Sequence, residues 1–184
     1  MDVTAIVLAG GKGSRMNNRD KAWVEHKDKP LLAHVIERIA PQVDDIIISR
    51  NHIDLRDKTL PYRCVSDGNL NFNGPLAGIA SCLEHVTTAV TLVVPCDTPS
   101  LPTNLVSAFQ EFLITGDLVI AHDGNREQPL IMMAKTDTLA NIQAYLNSGK
   151  RSVRGWLQTT PYQVARFTGA PTAFENINDE SQLK

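Results

Sequence analysis

The segment that follows the first apolar run of the chain has the composition of an anion-binding loop. Ala9, Gly10 and Gly11 come directly after Leu8, and adjacent glycines let backbone N–H groups approach an anion without a Cβ in the way. Between residues 12 and 29 six basic residues outnumber three acidic ones, although the whole chain carries a net charge of −2. A polyphosphate ligand would account for this positive charge. The alternative is a solvated surface loop with a turn-forming glycine pair.

The spacing of this glycine loop excludes two familiar nucleotide-binding motifs. No Gly-Lys-Ser or Gly-Lys-Thr closes the loop at the distance that a P-loop requires. Met16 stands where a dinucleotide-binding fingerprint needs its third glycine. The loop therefore predicts phosphate binding of another type.

Two aspartates follow predicted strands, a position from which a carboxylate can bind a cation or a ligand. Asp97 comes after an apolar run, with Pro95 and Pro99 on either side to end the strand. Asp67 follows a shorter β-rich run and precedes the turn-forming residues 68–71. Asp97 could instead be an Asx-turn or helix N-cap residue, and Asp67 could serve an ordinary Asp-Gly turn. The residues alone leave both alternatives open.

Two asparagines near the end of the chain alternate with an apolar residue. Asn176 and Asn178 would project to one side of an extended segment while Ile177 points to the other. Amides placed side by side can bind a ligand or the water shell of a metal, and they can equally cap a helix or a turn. His122, Asp123 and the other histidines form no metal-binding pattern, so we predict loop or surface positions for them and for Pro129.

The elements that must position these residues alternate between strands and helices. Apolar β-rich runs predict strands over 4–8, 46–49, 63–65, 91–94 and 118–121, and amphipathic stretches predict helices over 31–40, 77–85 and 104–113. Continuously apolar strands are typical of a sheet with helices on both faces. The sequence thus predicts an α/β fold, a three-layer α/β/α sandwich around a mostly parallel, Rossmann-like sheet. Its ligand-binding residues would follow the carboxyl ends of the strands.

Beyond residue 130 the pattern changes. An apolar run to Ala134, a helix-like stretch over 137–146 and a strand-like stretch over 162–167 predict the second half of the same domain, with an antiparallel strand. No linker or repeat divides the chain, so we predict a single domain over residues 1–184. Trp23 and Trp156 are predicted to pack in the interior.

Length and composition limit the class of protein. A chain of 184 residues with 42% hydrophobic and 21% charged residues is typical of a globular domain, and no apolar run approaches the ~20 residues of a membrane-spanning helix. The near-neutral charge disfavours a nucleic-acid partner. Three widely spaced cysteines predict neither a disulfide framework nor a zinc site, and the N-terminus lacks the basic region of a signal peptide. We therefore predict a cytoplasmic location.

The stretch LAGGKGSRMNNRDK, read together with GPLAG at 74–78 and FENIN at 174–178, resembles the molybdenum cofactor guanylyltransferases, the MobA family of the nucleotidyltransferase superfamily. The motifs occur in the family's order and span nearly the whole chain. Asn17 and Asn18 replace glycines that the family usually has. Asp179 replaces a threonine of its closing motif.

The resemblance implies roles for individual residues. Arg15, Lys21 and Asp97 correspond to the family's catalytic residues, with Asp97 holding Mg²⁺. Ser49 stands where the family has an asparagine, for which Asn51 could substitute. The remaining nucleotide and acceptor contacts implied by the resemblance are Leu8, Ala9, Gly10, Gly11, Lys21, Asp67, Gly74, Gly78, Asn176 and Asn178.

The activity implied by the resemblance is transfer of GMP from GTP to the terminal phosphate of molybdenum–molybdopterin, with release of pyrophosphate. The rivals are transfer of another nucleotide, such as CMP, transfer to a sugar phosphate, and a non-catalytic molybdopterin carrier. The resemblance implies a monomer that meets molybdopterin-loading proteins and apo-molybdoenzymes.

Overall fold

The computed structural model describes residues 1–10, 20–66, 74–168 and 172–177. Strands in these ranges are β1 (Val3–Leu8), β2 (Glu25–His26), β3 (Lys29–Pro30), β4 (Asp45–Arg50), β5 (Arg63–Ser66), β6 (Val90–Pro95), β7 (Leu118–His122), β8 (Glu127–Lys135) and β9 (Gln163–Arg166). The α-helices are α1 (Leu31–Ile39), α2 (Pro75–Leu83), α3 (Leu105–Gln110), α4 (Thr136–Leu139), α5 (Asn141–Asn147) and α6 (Val153–Leu157). Short 3₁₀ helices cover Lys21–Trp23, Ala40–Gln42, Asp57–Thr59 and Phe112–Ile114.

The described strands, apart from the small antiparallel hairpin of β2 and β3, form one sheet in the order β5-β4-β1-β6-β8-β7-β9. β8 runs antiparallel to β6 and to β7, and the other neighbouring pairs are parallel. Because β7 and β9 point the same way as β1 and β6, their carboxyl ends lie at one edge of the sheet. The predicted antiparallel strand is thus confirmed.

Helices cover both faces of this sheet, and the side chains of β1 alternate between them. Ala5 and Val7 belong to the core packed against α1 and α3. Ile6 and Leu8 belong to the core formed with α2, α4, α5 and α6, which also contains the fully buried Trp156. The predicted three-layer α/β/α sandwich is confirmed, and its strands are apolar throughout because both faces are covered.

The observed secondary structure differs from prediction at several boundaries and in the placement of two residues. The helix expected over 104–113 ends as α3 at Gln110 and continues as a 3₁₀ turn, and the helix expected over 137–146 is divided into α4 and α5. The loop position predicted for His122 and Pro129 is wrong, because His122 ends β7 with 9% of its surface exposed and Pro129 lies within β8. The β7–β8 register shifts beside Pro129, and such an irregularity tolerates a residue without an N–H.

No helix in the described part of the chain is both long and apolar enough to cross a membrane. Cys64, Cys82 and Cys96 all carry free thiols.

Candidate functional site

The predicted nucleotide loop begins at the carboxyl edge of the sheet, between two neighbouring strands. The Ala9 N–H donates to the Ser49 carbonyl at 2.9 Å, and the Cys96 N–H donates to the Leu8 carbonyl at 3.0 Å. These bonds continue the ladders of β1 beyond its last residue on both sides. They fix Leu8 and Ala9 in the sheet and place the exposed Gly10 at its edge.

Lys21 and Asp97, both predicted as catalytic, lie in direct contact. The Nζ atom of Lys21 is 2.6 Å from Oδ2 of Asp97, although 76 positions separate the residues in the chain. Their side chains are only 19% and 15% exposed, so water screens this ion pair less than a surface pair. The Asp20 carboxylate starts the 3₁₀ turn of Lys21 by accepting the Ala22 N–H at 3.2 Å. The chain thus presents a cation and an anion together at the end of β6.

The C-terminal segment closes this corner from the other side. The Ile177 N–H donates to the Asp97 carbonyl at 2.9 Å, and the Thr98 hydroxyl donates to Oδ1 of Asn176 at 3.0 Å. Ile177 is buried with Val24 and Leu31, which anchors the segment. Asn176 therefore lies beside the segment that carries Asp97.

Asn51 and Ser49 take different positions at the end of β4. A Cβ on Gly10 would collide with the Asn51 side chain, so this amide lies directly against the nucleotide loop. The Ser49 side chain is 2% exposed, and its hydroxyl fills the space where Gly78 lacks a Cβ. Of these two residues, Asn51 is therefore the one whose side chain reaches the loop.

The Gly74–Gly78 motif starts α2 close to the same edge. Gly74 has a φ of +103°, a conformation that favours glycine, and Pro75 occupies the first turn of the helix. The absent Cβ of Gly78 allows α2 to approach the end of β4, and a Cβ there would also lie 3.4 Å from Leu8 Cδ2. The local backbone and packing therefore favour glycine at both positions, whether or not these residues also contact a ligand.

Arg50 is a residue of this region that the sequence analysis missed. Its Nη1 donates to the Ala9 carbonyl at 2.6 Å and to Asp20 Oδ1 at 3.1 Å, and its Nη2 pairs with Asp20 Oδ2. Its Nε forms an ion pair with Asp57 Oδ1 at 3.0 Å, out of line for a hydrogen bond. Burial by itself lowers the pKa of Arg50, but Asp20 and Asp57 more than offset it and raise the pKa above its usual range. One signal in the sequence could have indicated Arg50: it is an arginine at the end of a buried strand, where the chain enters a loop.

Four predicted site residues lie outside the described residues: Gly11, Arg15, Asp67 and Asn178. The others, from β1, the Lys21 turn, β4, α2, β6 and the C-terminal segment, all lie around one sheet edge.

The donor set around Asp97 fits a magnesium ion held jointly with substrate. Within the described ranges no three His, Cys, Asp or Glu side chains gather into a metal-binding group. Mg²⁺ commonly binds through one or two carboxylates, substrate phosphates and water, not through an all-protein cage. A carboxylate with the exposure of Asp97, next to a cationic loop start, meets that requirement.

A cavity of about 620 Å³ opens next to the C-terminal segment at the same sheet edge. It lies between the β7–β8 turn and the end of β9, and Arg126 supplies a cationic wall. Its lining consists of Asp123, Gly124, Asn125, Arg126, Phe167, Thr168 and Glu175. Glu175 immediately precedes Asn176, so the segment that contacts Asp97 and Thr98 also forms part of the cavity wall.

Comparison with known sequences gives one consistent family. The family described as the MobA-like NTP transferase domain matches residues 5–164. The chain is 39% identical over 182 residues to the molybdenum cofactor guanylyltransferase of Shewanella halifaxensis, covering 98% of this chain and 91% of that protein. It is 38% identical over 184 residues to the protein of the same name from Shewanella sp. strain MR-4, covering 99% and 93%.

Solved structures share the fold at low sequence identity. The molybdopterin-guanine dinucleotide biosynthesis protein A of Archaeoglobus fulgidus superposes with a TM-score of 0.79 at 19% identity, covering 97% of this chain and 93% of that one. The 2-C-methyl-D-erythritol 4-phosphate cytidylyltransferase of Thermus thermophilus gives a TM-score of 0.75 at 15% identity, covering 98% and 95%. These likenesses show a shared fold.

Proposed function

Since this chain belongs to the MobA-like NTP transferase family, we propose that it is a molybdenum cofactor guanylyltransferase. It transfers GMP from GTP to the terminal phosphate of molybdenum–molybdopterin and releases pyrophosphate. The contact between Lys21 and Asp97, beside Gly10 and Asn176, is the structural observation that supports this proposal most directly.

Binding of GTP uses the edge formed by β1 and β4. The backbone from Leu8 to Gly11 provides N–H donors, and the Asn51 amide against Gly10 provides a polar side chain for the nucleoside. Arg15 and Lys21 offset the negative charge of the triphosphate. Asp67, Gly74 and Gly78 complete the nucleotide side in this proposal.

Asp97 would hold Mg²⁺ together with the phosphates of GTP. When bound there, the ion supplies Lewis-acid stabilisation of charge on the phosphate oxygens. Lys21 contacts the same carboxylate, so its ammonium lies where the phosphates would meet the Asp97 side chain. The two residues thus bring positive charge and a metal ligand to one point.

The reaction is an in-line displacement at the α-phosphorus of GTP. An oxygen of the acceptor's terminal phosphate forms the new P–O bond, the bond between the α-phosphorus and the α,β-bridging oxygen breaks, and pyrophosphate leaves with that electron pair. The attacking phosphate is already an anion, so the protein needs no strong general base. Its task is to align two anionic groups and to offset their charge.

The acceptor occupies the cavity of about 620 Å³ and reaches the α-phosphorus past Asn176 and Asn178. In this proposal Arg126, whose Nε lies 3.8 Å from Asp123 Oδ2 in the cavity lining, pairs with an acceptor phosphate. An Arg126→Ala variant should raise KM for molybdopterin several-fold and leave KM for GTP unchanged.

The central experiment measures pyrophosphate release by the purified chain with molybdenum–molybdopterin, Mg²⁺ and either GTP or CTP. We expect turnover with GTP, dependence on Mg²⁺ and little turnover with CTP. Faster turnover with CTP would identify a cytidylyltransferase. Tight pterin binding without pyrophosphate release from either nucleotide would identify a carrier and contradict the proposal.

We further propose that the chain acts as a monomer in the cytoplasm. Its product then passes to apo-molybdoenzymes, directly or through molybdopterin-loading proteins. Sedimentation of the purified chain with and without GTP tests the monomer, and a concentration-dependent dimer would contradict it.

A further inference from the structure

Arg50 bridges two segments that are close to the proposed nucleotide site but separate in the chain. Ala9 ends the first segment at the nucleotide loop, and Asp20 begins the second, directly before Lys21. One nitrogen of Arg50, Nη1, donates to both Ala9 and Asp20, at 2.6 Å and 3.1 Å. A single guanidinium thus sets the distance between the end of β1 and the turn that carries the Lys21 ammonium.

We propose that Arg50 is a positioning residue for nucleotide transfer, because it holds the Ala9 backbone and the Lys21 turn in the one arrangement that binds a nucleoside triphosphate. This inference rests on the proposed function. Arg50 acts through Ala9 and Asp20 and is not assigned a contact with substrate.

The chemistry of the guanidinium suits this task. Its planar fork of N–H donors reaches the Ala9 carbonyl and the Asp20 carboxylate at the same time, in fixed directions, while its charge also pairs with Asp57. A lysine at position 50 would keep the charge but could not span all three partners. With 3% of its side chain exposed, Arg50 is also shielded from competing water.

Arg50 has one set of contacts toward the site and one away from it. The Nη atoms face Ala9 and Asp20, whereas Nε faces Asp57 in the 3₁₀ turn Asp57–Thr59, whose carboxylate is fully buried. Asp57 also accepts the Asp54 N–H at 2.8 Å, so it organises the loop after β4. Substitution of Asp57 therefore tests how much the Arg50–Asp57 ion pair contributes to stability. Substitution of Arg50 or Asp20, which removes Nη contacts, tests the positioning role.

The experiment compares Arg50→Lys with Asp57→Asn and with Arg56→Ala. Arg56 is the matched control, because its Nη2 lies 3.7 Å from the same Asp20 carboxylate but its side chain is 54% exposed. Calorimetry measures the dissociation constant for GTP with Mg²⁺, thermal melting measures stability, and pyrophosphate release gives KM and kcat.

We expect Arg50→Lys to weaken GTP binding by about tenfold or more, because losing hydrogen bonds to a charged group lowers the population of the arrangement that binds GTP by about that factor. Most of the change should be in KM for GTP. Asp57→Asn should lower the melting temperature and change GTP affinity by less than about threefold, and Arg56→Ala should change neither appreciably. GTP affinity in Arg50→Lys within about twofold of the parent, or no weaker than in Asp57→Asn, overturns the inference.

If Arg50→Lys fails to fold, Asp20→Asn replaces it as the test of the positioning role. The Asp20 side chain is 29% exposed, and the amide removes the charge that Arg50 meets while preserving the 3₁₀ turn's side-chain acceptor. It should also raise KM for GTP, and an unchanged KM overturns the inference. A parent protein that neither binds GTP nor releases pyrophosphate would instead overturn the proposed function itself.

Discussion

Two aspartates end two strands at the same edge of the sheet, and their surroundings differ. Asp97, after β6, is held by residues from distant parts of the chain: Lys21 pairs with its carboxylate and Ile177 donates to its carbonyl. Asp123, after β7, is held by its own turn, where it accepts the N–H groups of Asn125 and Arg126 at 2.7 Å and 2.8 Å.

Two further hydrogen bonds of the β7–β8 turn also join residues that are close together in the chain. The Gln128 amide donates to Asp123 at 2.6 Å, and the Gly124 N–H donates to Nδ1 of His122 at 3.0 Å. Local hydrogen bonds of this kind account for both side chains without a ligand. The Asp123 carboxylate thus closes its own turn, whereas the Asp97 carboxylate pairs with a cation from a distant segment, which supports the role proposed for Asp97.

Loss of the Asp97 charge should have the largest effect. Asp97→Asn should reduce pyrophosphate release at least about a hundredfold, because a metal ligand of this kind contributes several kcal/mol to charge stabilisation. Asp117→Asn is the control, since Asp117 pairs with Lys135 on the surface, where both side chains are more than half exposed. Steady-state kinetics measure the rate of pyrophosphate release in both variants. Full activity in Asp97→Asn would remove Asp97 from the mechanism.

Removal of the Asp123 carboxylate should affect stability. Asp123→Ala leaves the N–H groups of Asn125 and Arg126 without their acceptor and should lower the free energy of unfolding by about 1–3 kcal/mol. Urea unfolding measures the change, with Asp117→Ala as the exposed control, for which we expect less than about 1 kcal/mol. Equal losses in the two variants would show that the β7–β8 turn does not depend on Asp123.

Acid should weaken the Asp123 turn. Burial by itself raises the pKa of Asp123, but the N–H groups of Arg126 and Asn125 and the Gln128 amide more than offset it, and the pKa lies below its usual value. A lowered carboxyl pKa stabilises the folded state above the unfolded pKa of about 3.9, and this contribution disappears as the pH falls through the folded pKa. The stability difference between the parent and Asp123→Ala, followed by urea unfolding, should therefore shrink below about pH 4. A difference that does not change with pH would mean that the charge is unimportant.

The smallest effect concerns the thiol beside Asp97. Burial raises the pKa of Cys96 to about 12, so the reactive thiolate is scarce at pH 8. Cys64 is half-buried and serves as the internal control. Iodoacetamide labelling followed by mass spectrometry should modify Cys64 first and Cys96 only after unfolding. Equal labelling of Cys64 and Cys96 in the native protein would contradict the burial of Cys96 in the turn that follows β6.

Much of this fold could be predicted because its strands are apolar on both faces and are separated by amphipathic helices. Candidate site residues could be proposed from the sequence where their motifs are local, as in Gly74–Gly78 or the loop after Leu8. The position of Arg50 at the end of a predicted strand could have drawn attention to it, but the sequence does not indicate its partners at Ala9 and Asp57. The single domain over 1–184 and the roles of all the predicted site residues stay predictions, and Gly11, Arg15, Asp67 and Asn178 lie outside the described residues.

Residue order alone determined the α/β class, the family and the identity of the residues with chemical potential, because periodicity and motif spacing are properties of neighbouring positions. Tertiary structure decided which of them meet. The Lys21–Asp97 pair joins positions 76 apart, and the choice between Ser49 and Asn51 depends on how closely α2 and Gly10 approach the end of β4. Such contacts arise from packing the sheet and its helices, and no local pattern encodes the resulting distances.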